Sequence, residues 1–139
     1  MLSLLRHPDY CVYGSVRSKS AASARAEAAF NEASLEERSK IEKETLVNVD
    51  ARKRSAAAPG PAAEGANEFI VVTLIVAADS ALTMPTIATL EDLKTALKRL
   101  GAVRAEGLQA VEVLWTPQEE GDSLTQEELS RDYPLLNTL

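Results

Sequence analysis

The chain has 139 residues, of which 45% are hydrophobic and 26% charged, and this balance is typical of one small globular domain. A formal net charge of -6 removes any bulk electrostatic attraction to nucleic acids or anionic lipids. One cysteine, Cys11, and one histidine, His7, exclude an intrachain disulfide and a zinc site built from several Cys and His ligands.

The first half of the chain predicts two short helices and a strand. Alanines at helical spacing predict a helix over 20–33. Ser34 followed by Glu37 has the pattern of a capping box, which would start a second helix that ends near Glu42. Alternation of β-branched residues then predicts a strand at Thr45–Val49.

A flexible linker is predicted at about 51–67. Its larger part, residues 55–67, contains mainly Ala, Pro and Gly and no large apolar side chain. The linker would join two antiparallel strands or separate two sub-units of the domain.

The second half predicts a strand, a helix, another strand and a final short helix. The strands are Phe69–Ala78 and Leu108–Trp115, and Thr89 would cap the helix at 90–100 between them. Thr125 would cap the last helix. The apolar run at 69–78 is far shorter than the roughly 20 residues that span a membrane, so we interpret it as a buried strand.

These elements predict an α+β fold within a single domain over residues 1–139. We expect one small sheet of about three or more strands, antiparallel, with helices packed on it. A right-handed crossover through the helix at 90–100 would instead make the last two strands parallel neighbours, and a strand inserted between them would allow another order. The predicted core consists of Val71, Leu74, Val76, Leu93, Leu97, Leu100, Val111, Val113 and Leu114.

Few residues are candidates for chemistry. Cys11 near His7 could form a nucleophile and its base, but the sequence supplies no orienting partner, and His7 before a proline fits a helix C-terminal cap better. Arg52–Arg54 could contact lipid phosphate, although a solubilising run of charge is the simpler interpretation. We therefore predict no catalytic residues, no metal site and no cofactor.

The candidate interaction residues lie around the end of the last long strand. Trp115 could belong to the core or contact a partner, and the core is the favoured interpretation. Glu119, Glu120 and Asp122 lack the register of a calcium loop and are better explained as a solvated turn. A flat apolar patch with an acidic rim would favour binding, whereas a cleft joining His7 and Cys11 to carboxylates would favour an enzyme.

Several strings of sequence resemble a known family. They are Leu35–Lys40 with Glu44–Val49, then Phe69–Ala78, and finally Ala110–Gln118 with Asp132–Leu136. Their order and spacing are similar to those of the plant, algal and cyanobacterial family typed as domain of unknown function 1517. The resemblance runs from about Leu2 to Leu139, and this chain would correspond to the C-terminal part of a larger family domain.

The resemblance implies a process rather than a reaction. Family members are associated with membranes in chloroplasts or cyanobacteria, at the thylakoid or the envelope. They are linked to light acclimation, thermal dissipation of excess excitation (non-photochemical quenching) and proton balance across the thylakoid. It therefore implies a non-enzymatic regulatory module that contacts proteins of a membrane complex. The alternatives are a structural or assembly subunit of such a complex and an enzyme with a site near His7 and Cys11. We expect the chain by itself to be soluble, with no transmembrane segment and no nucleic-acid partner.

Overall fold

The computed structural model of the chain describes residue 6 and residues 10–55, 68–118 and 122–139. These residues form an α+β fold, which confirms the predicted class. The strands make two separate antiparallel pairs, β1 with β4 and β2 with β3, rather than the single larger sheet that the sequence predicted. In chain order the elements are β1 (Tyr13–Gly14), α1 (Ser23–Ser55), β2 (Val71–Ala78), α2 (Leu90–Gly101), β3 (Leu108–Thr116), α3 (Gln126–Asp132) and β4 (Asn137–Thr138).

Helix α1 replaces three predicted elements. It runs without interruption from Ser23 to Ser55, so the helix break at Ser34 and the strand at Thr45–Val49 are both wrong. The hydroxyl of Ser34 donates to the Glu112 carboxylate, so it does not act as the start of a helix. Helix propensities differ by only a few tenths of a kcal/mol per residue, and the good helix formers on both sides of 45–49 outweigh its β-branched residues. Residues 51–55 of the predicted linker end this helix, and 56–67 lie outside the described residues.

Strands β2 and β3 form an antiparallel ribbon whose connection contains α2. The amide of Asp79 donates to the carbonyl of Gly107 at 2.9 Å, which closes this connection where it leaves and rejoins the ribbon. The parallel crossover is therefore not formed. Four predicted core residues of the ribbon are half-buried: Val71, Leu74, Val76 and Leu114.

The chain divides into two compact units, neither of which is a continuous stretch. The first unit comprises the described parts of Met1–Phe30, Val76–Val111 and Leu135–Leu139, and the second comprises those of Asn31–Ile75 and Glu112–Pro134. The prediction of one domain stays a prediction.

In the first unit, β1 pairs with β4 beside a close approach of the backbone. Tyr13 lies opposite Thr138, and Gly14 lies opposite Asn137. A Cβ at Gly14 would stand 3.2 Å from Ile87 Cγ2, tighter than ordinary contact, so the small residue lets Ile87 pack against the pair. The side chain of Asn137 on β4 donates to the Ile87 carbonyl at 2.9 Å, and this bond also holds Ile87 beside the strand pair.

The predicted cap of α2 is confirmed. Thr89 accepts from the amide of Asp92, and the Asp92 carboxylate accepts in return from the Thr89 amide at 2.9 Å. This reciprocal pair satisfies two amides that a helix start otherwise leaves without a partner. Of the predicted core leucines on α2, Leu97 is buried, and Leu93 and Leu100 are half-buried.

In the second unit, α3 begins with the predicted capping box at Thr125 and Glu128. Just before it, the backbones of Leu124 and Phe69 exchange hydrogen bonds of 2.8 and 2.9 Å. This bridge holds the start of α3 beside the start of β2. The buried apolar side chains of the unit are Leu124, Leu129 and Tyr133.

Candidate functional site

One face of the β2–β3 ribbon in the second unit carries polar side chains that contact α1. On β3, Glu112 accepts a hydrogen bond from the Ser34 hydroxyl and an ion-paired bond from the Arg38 guanidinium, whose Nε lies 2.8 Å from Oε1. On β2, the Thr73 hydroxyl donates to Glu37 Oε2 at 3.4 Å. Because alternate residues of a strand share a face, Thr116 lies on the same side as Glu112. We call the side of Thr73, Glu112 and Thr116 the covered face.

A second set of contacts continues this network to the end of α3. Glu37 is only 7% exposed and is paired with Lys40, whose Nζ lies 2.7 Å from Oε1. The same ammonium stands 4.7 Å from the centre of the Tyr133 ring, in cation–π geometry. The Tyr133 hydroxyl donates to Thr116 Oγ1 at 3.0 Å. Side chains of α1, β3 and the α3 terminus are thus joined through directional bonds.

The pKa of Glu112 on the covered face indicates a structural role rather than a role in proton transfer. Hydrogen bonds from Ser34 and then Arg38 hold the pKa of Glu112 below its ordinary value. A general acid or base works best with a pKa near the operating pH, and this shift moves away from neutrality. Glu112 is therefore a fixed carboxylate that accepts from both α1 side chains and seats the helix on the ribbon.

The opposite face of the ribbon is apolar and open to solvent. Val72 and Val113 neighbour Thr73 and Glu112 in the chain, so alternation turns them away from α1. Trp115 stands two residues after Val113 on β3. Ile70 stands two residues before Val72, just before β2 begins, and we assign it to the same side. The four side chains are between 41% and 65% exposed, and we call them the open face: Ile70, Val72, Val113 and Trp115.

The exposure of odd-numbered residues on β3 corrects two expectations. Val111 and Val113 were predicted in the core, yet they are 50% and 47% exposed. Trp115, for which the core was favoured, is 51% exposed. The reason is the charged residue of β3: Glu112 points inward to Ser34 and Arg38, and the alternation of the strand then sends the odd-numbered residues outward.

The other predicted interaction residues are only partly described. Asp122 is half-buried, while Glu119 and Glu120 lie outside the described residues. Their role in an interaction stays a prediction, as does that of Trp115.

The alternative site, a nucleophile and its base at Cys11 and His7, lies in the N-terminal segment. Cys11 is a free, half-buried thiol, and burial raises its pKa, which lowers the thiolate fraction that a nucleophile needs. His7 lies outside the described residues. Of the concave surfaces of the first unit, one of about 350 Å³ lies beside Met84–Ile87 and one of about 900 Å³ lies beside Arg99 and Arg104, and Cys11 lines neither.

Two features are absent from the part of the chain that the structure describes. No cluster of three or more His, Cys, Asp or Glu side chains is placed to hold a metal ion there. Among the described helices, none is both long and apolar enough to cross a membrane.

The fold and this network define an α+β protein in which a long helix is fixed to a strand pair by polar contacts. The chain belongs to the family described as "Protein of unknown function (DUF1517)", whose model matches residues 1–139, and this confirms the resemblance. It is 48% identical over 140 residues to FLUCTUATING-LIGHT-ACCLIMATION protein 1, chloroplastic, of Arabidopsis thaliana. It is 44% identical over 143 residues to Protein FLAP1 homolog A of Synechocystis sp.. No solved structure matches the chain significantly.

These relatives are considerably longer than the chain. The matches cover 99% and 97% of this chain, but only 36% of the Arabidopsis protein and 43% of the Synechocystis protein. The chain therefore corresponds to one part of each relative.

The covered face as a unit was not predicted from the sequence. Its members were not singled out individually, and the contacts of Glu112 with Ser34 and Arg38 join residues 78 and 74 positions apart. A signal was present nonetheless, because every residue of the network except Ser34 falls in the strings that carry the family resemblance. They are Glu37, Arg38 and Lys40 in the first, Thr73 in the second, and Glu112, Thr116 and Tyr133 in the last.

Proposed function

We propose that this chain is a non-enzymatic interaction module that serves the acclimation of photosynthesis to changing light. The process is the one that the names of the Arabidopsis and Synechocystis relatives give. The mode of action is supported by the open face, where Ile70, Val72, Val113 and Trp115 expose apolar side chains to water. Exposed apolar patches of this kind mark binding surfaces, because covering them releases water at a favourable free energy.

The covered face supports the same proposal. The contacts of Glu112 and Glu37 fix α1 to one side of the ribbon, so the open face is presented on a preorganised support. A rigid surface loses less conformational entropy on binding than a mobile one. We place the module in the chloroplast or the cyanobacterial cell, where it contacts a thylakoid membrane complex and adjusts dissipation of excitation or proton balance.

The test uses a Synechocystis strain that lacks this relative. The strain receives a version of the relative in which the matching segment is replaced with the present chain. Growth and chlorophyll fluorescence are compared under alternating strong and weak light and under constant light. We expect the native segment to restore performance under alternating light. Val113→Asp should abolish this rescue at equal protein accumulation, because it puts a charge into the open face.

The chain offers a matched control. Val12 is a valine with the same 47% exposure as Val113, but it belongs to the first unit. Val12→Asp should therefore preserve rescue. Full rescue by Val113→Asp, or failure of an accumulating native segment, would contradict the proposal. Loss of rescue with Cys11→Ser would favour the enzyme alternative.

A further inference from the structure

The open face has the dimensions of a seat for one helix. Each strand of a pair takes up a width of about 5 Å, so two strands together are about as wide as one helix with its side chains, which is about 10 Å across. The same ribbon already carries a helix on its covered face, where Ser34, Glu37 and Arg38 of α1 meet β2 and β3. Layered folds commonly place helices on both sides of a sheet. A helix laid on the open face would complete such an arrangement.

The chain segments that form the ribbon carry charge of one sign in the sequence. Residues 68–93 and 105–130 contain all of β2 and β3, and they include Asp and Glu but no Lys or Arg. Glu68 is exposed and stands two residues before Ile70, at one end of the open face. The chain continues from Trp115 into Glu119 and Glu120, which add further acid in sequence.

This charge distribution discriminates among occupants. A second copy docked through the same face would bring the same acidic chain segments of two molecules together, since a two-fold interface pairs identical surfaces. An anionic bilayer would be repelled in the same way. A helix with Lys or Arg beside its apolar stripe would instead be attracted, and the opposite charges would speed its encounter with the face.

We propose that the open face binds an amphipathic helix of a protein partner. The apolar residues of that helix, spaced i, i+3 and i+7, lie over Val72, Val113 and Trp115, and its Lys or Arg residues flank the stripe. This inference rests on the proposed function and gives the partner a chemistry. Trp115 is the anchor, because a half-exposed tryptophan at the end of a fixed strand supplies the largest apolar area of the four side chains.

The chain contains its own reporter for this test. Trp115 is the single tryptophan, so fluorescence emission of the native chain reports on the open face alone. The probe is a synthetic amphipathic peptide of about 18 residues, long enough to form a helix, with a leucine stripe flanked by lysine and arginine. The matched peptide keeps the leucine stripe and replaces every basic residue with glutamate.

We expect the basic peptide to shift Trp115 emission to shorter wavelength as the indole leaves water. It should bind about tenfold or more tightly than the acidic peptide, and added salt should narrow this difference. Val113→Asp should weaken binding of the basic peptide by about thirtyfold, as expected for a change at the centre of an interface. Val12→Asp should leave the affinity unchanged, and circular dichroism verifies that both variants remain folded.

Other outcomes would overturn the inference. Equal binding of the two peptides, or an unchanged emission with both, would remove the basic helix as occupant. Self-association of the native chain that Val113→Asp abolishes would identify a second copy instead. A shift with phosphatidylglycerol vesicles but not with the basic peptide would identify a membrane surface.

The inference and the proposed function fail separately. If the peptide does not bind but Val113→Asp still abolishes rescue under alternating light, the partner chemistry is wrong and the function stands. If the peptide binds and Val113→Asp still rescues fully, the site exists but does not serve light acclimation.

Discussion

The covered and open faces of the β2–β3 ribbon differ in the kind of interaction that each provides. On the covered face, Glu112 and Thr73 make directional contacts to Arg38, Ser34 and Glu37. On the open face, Val72, Val113 and Trp115 offer apolar area without directional groups. The usual two-sided ribbon has apolar residues inside and polar residues outside. This ribbon reverses that order at Thr73, Glu112 and Thr116, which lie inside, and at Val72, Val113 and Trp115, which lie outside.

Because of this reversal, one face of the ribbon fixes the position of α1, and the other face can supply free energy for binding. A hydrogen bond adds little net stability, but leaving a buried polar group without its partner is costly, so Glu37 and Glu112 admit α1 in one register. Apolar surface has no such geometric demand and yields roughly 25 cal/mol per Å² when it is covered. One face therefore fixes the structure, and the other remains available for association.

The largest expected difference between the faces is at their aromatic residues. Tyr133 is buried, stands beside Lys40 and donates to Thr116, so Tyr133→Ala should lower the free energy of unfolding by about 3–5 kcal/mol. Trp115→Ala should cost about half as much or less, because half of its side chain is already in water. Urea denaturation followed by circular dichroism measures both. Equal losses would show that the two sides are packed alike.

A smaller effect is expected from the charge of Glu112. The Glu112→Gln variant keeps an acceptor for Ser34 and Arg38 but removes the carboxylate, so it should be less stable than the native chain near neutral pH. Glu106→Gln on an exposed turn removes the same charge elsewhere and is the control. Equal stability of the Glu112→Gln variant and the native chain would show that the ion pair does not stabilise the covered face.

The pH dependence of this difference has a defined sign. Ser34 and Arg38 lower the pKa of Glu112 in the folded state, so the unfolded chain takes up a proton first as the pH falls. The stability due to Glu112 is thus fully present above its ordinary pKa of 4.5, and it is lost as the pH falls through the lower folded value. Denaturation midpoints of the native chain and Glu112→Gln should converge in that range. A constant difference down to about pH 3 would contradict the assigned shift.

The parts of the fold that were predictable depend on local chemistry. Thr89 with Asp92, and Thr125 with Glu128, form capping boxes whose bonds lie within three residues, and the caps Thr89 and Thr125 were both predicted from the sequence. The ribbon strands were also predictable, since 69–78 and 108–115 have strong β character over their whole length. These signals need no knowledge of distant partners.

The parts that were missed depend on distant contacts. Ser34 and Glu37 match a helix-start pattern, but in the fold they serve β3 and β2 from the middle of a long helix. Glu112 within a strand suggests an outward position by its charge, and only the approach of Arg38 turns it inward. Exposure of Val113 and Trp115 follows from that reversal, so the candidate site could not be placed from the sequence alone.

Tyr133→Phe tests a single bond of the covered face. The ring stays in place beside Lys40, and only the hydroxyl that donates to Thr116 Oγ1 at 3.0 Å is removed. Because Thr116 is buried, its hydroxyl loses a partner that water does not readily replace, and we expect a loss of about 1 kcal/mol. Thr116→Val in the same background should restore part of this loss. A Tyr133→Phe variant as stable as the native chain would remove this contact from the covered face.

The smallest effect is expected on the open face itself. Val113→Thr keeps the shape and the β-branching of the side chain and replaces one methyl group with a hydroxyl. At 47% exposure the hydroxyl can bind water, so the free energy of unfolding should change by no more than about 0.5 kcal/mol, with an unchanged denaturant slope. The same substitution at a covered position would cost more, because a hydroxyl would then be buried without a partner. A loss above about 1 kcal/mol would therefore show that Val113 is covered in solution and that the two faces of the ribbon are less different than the structure indicates.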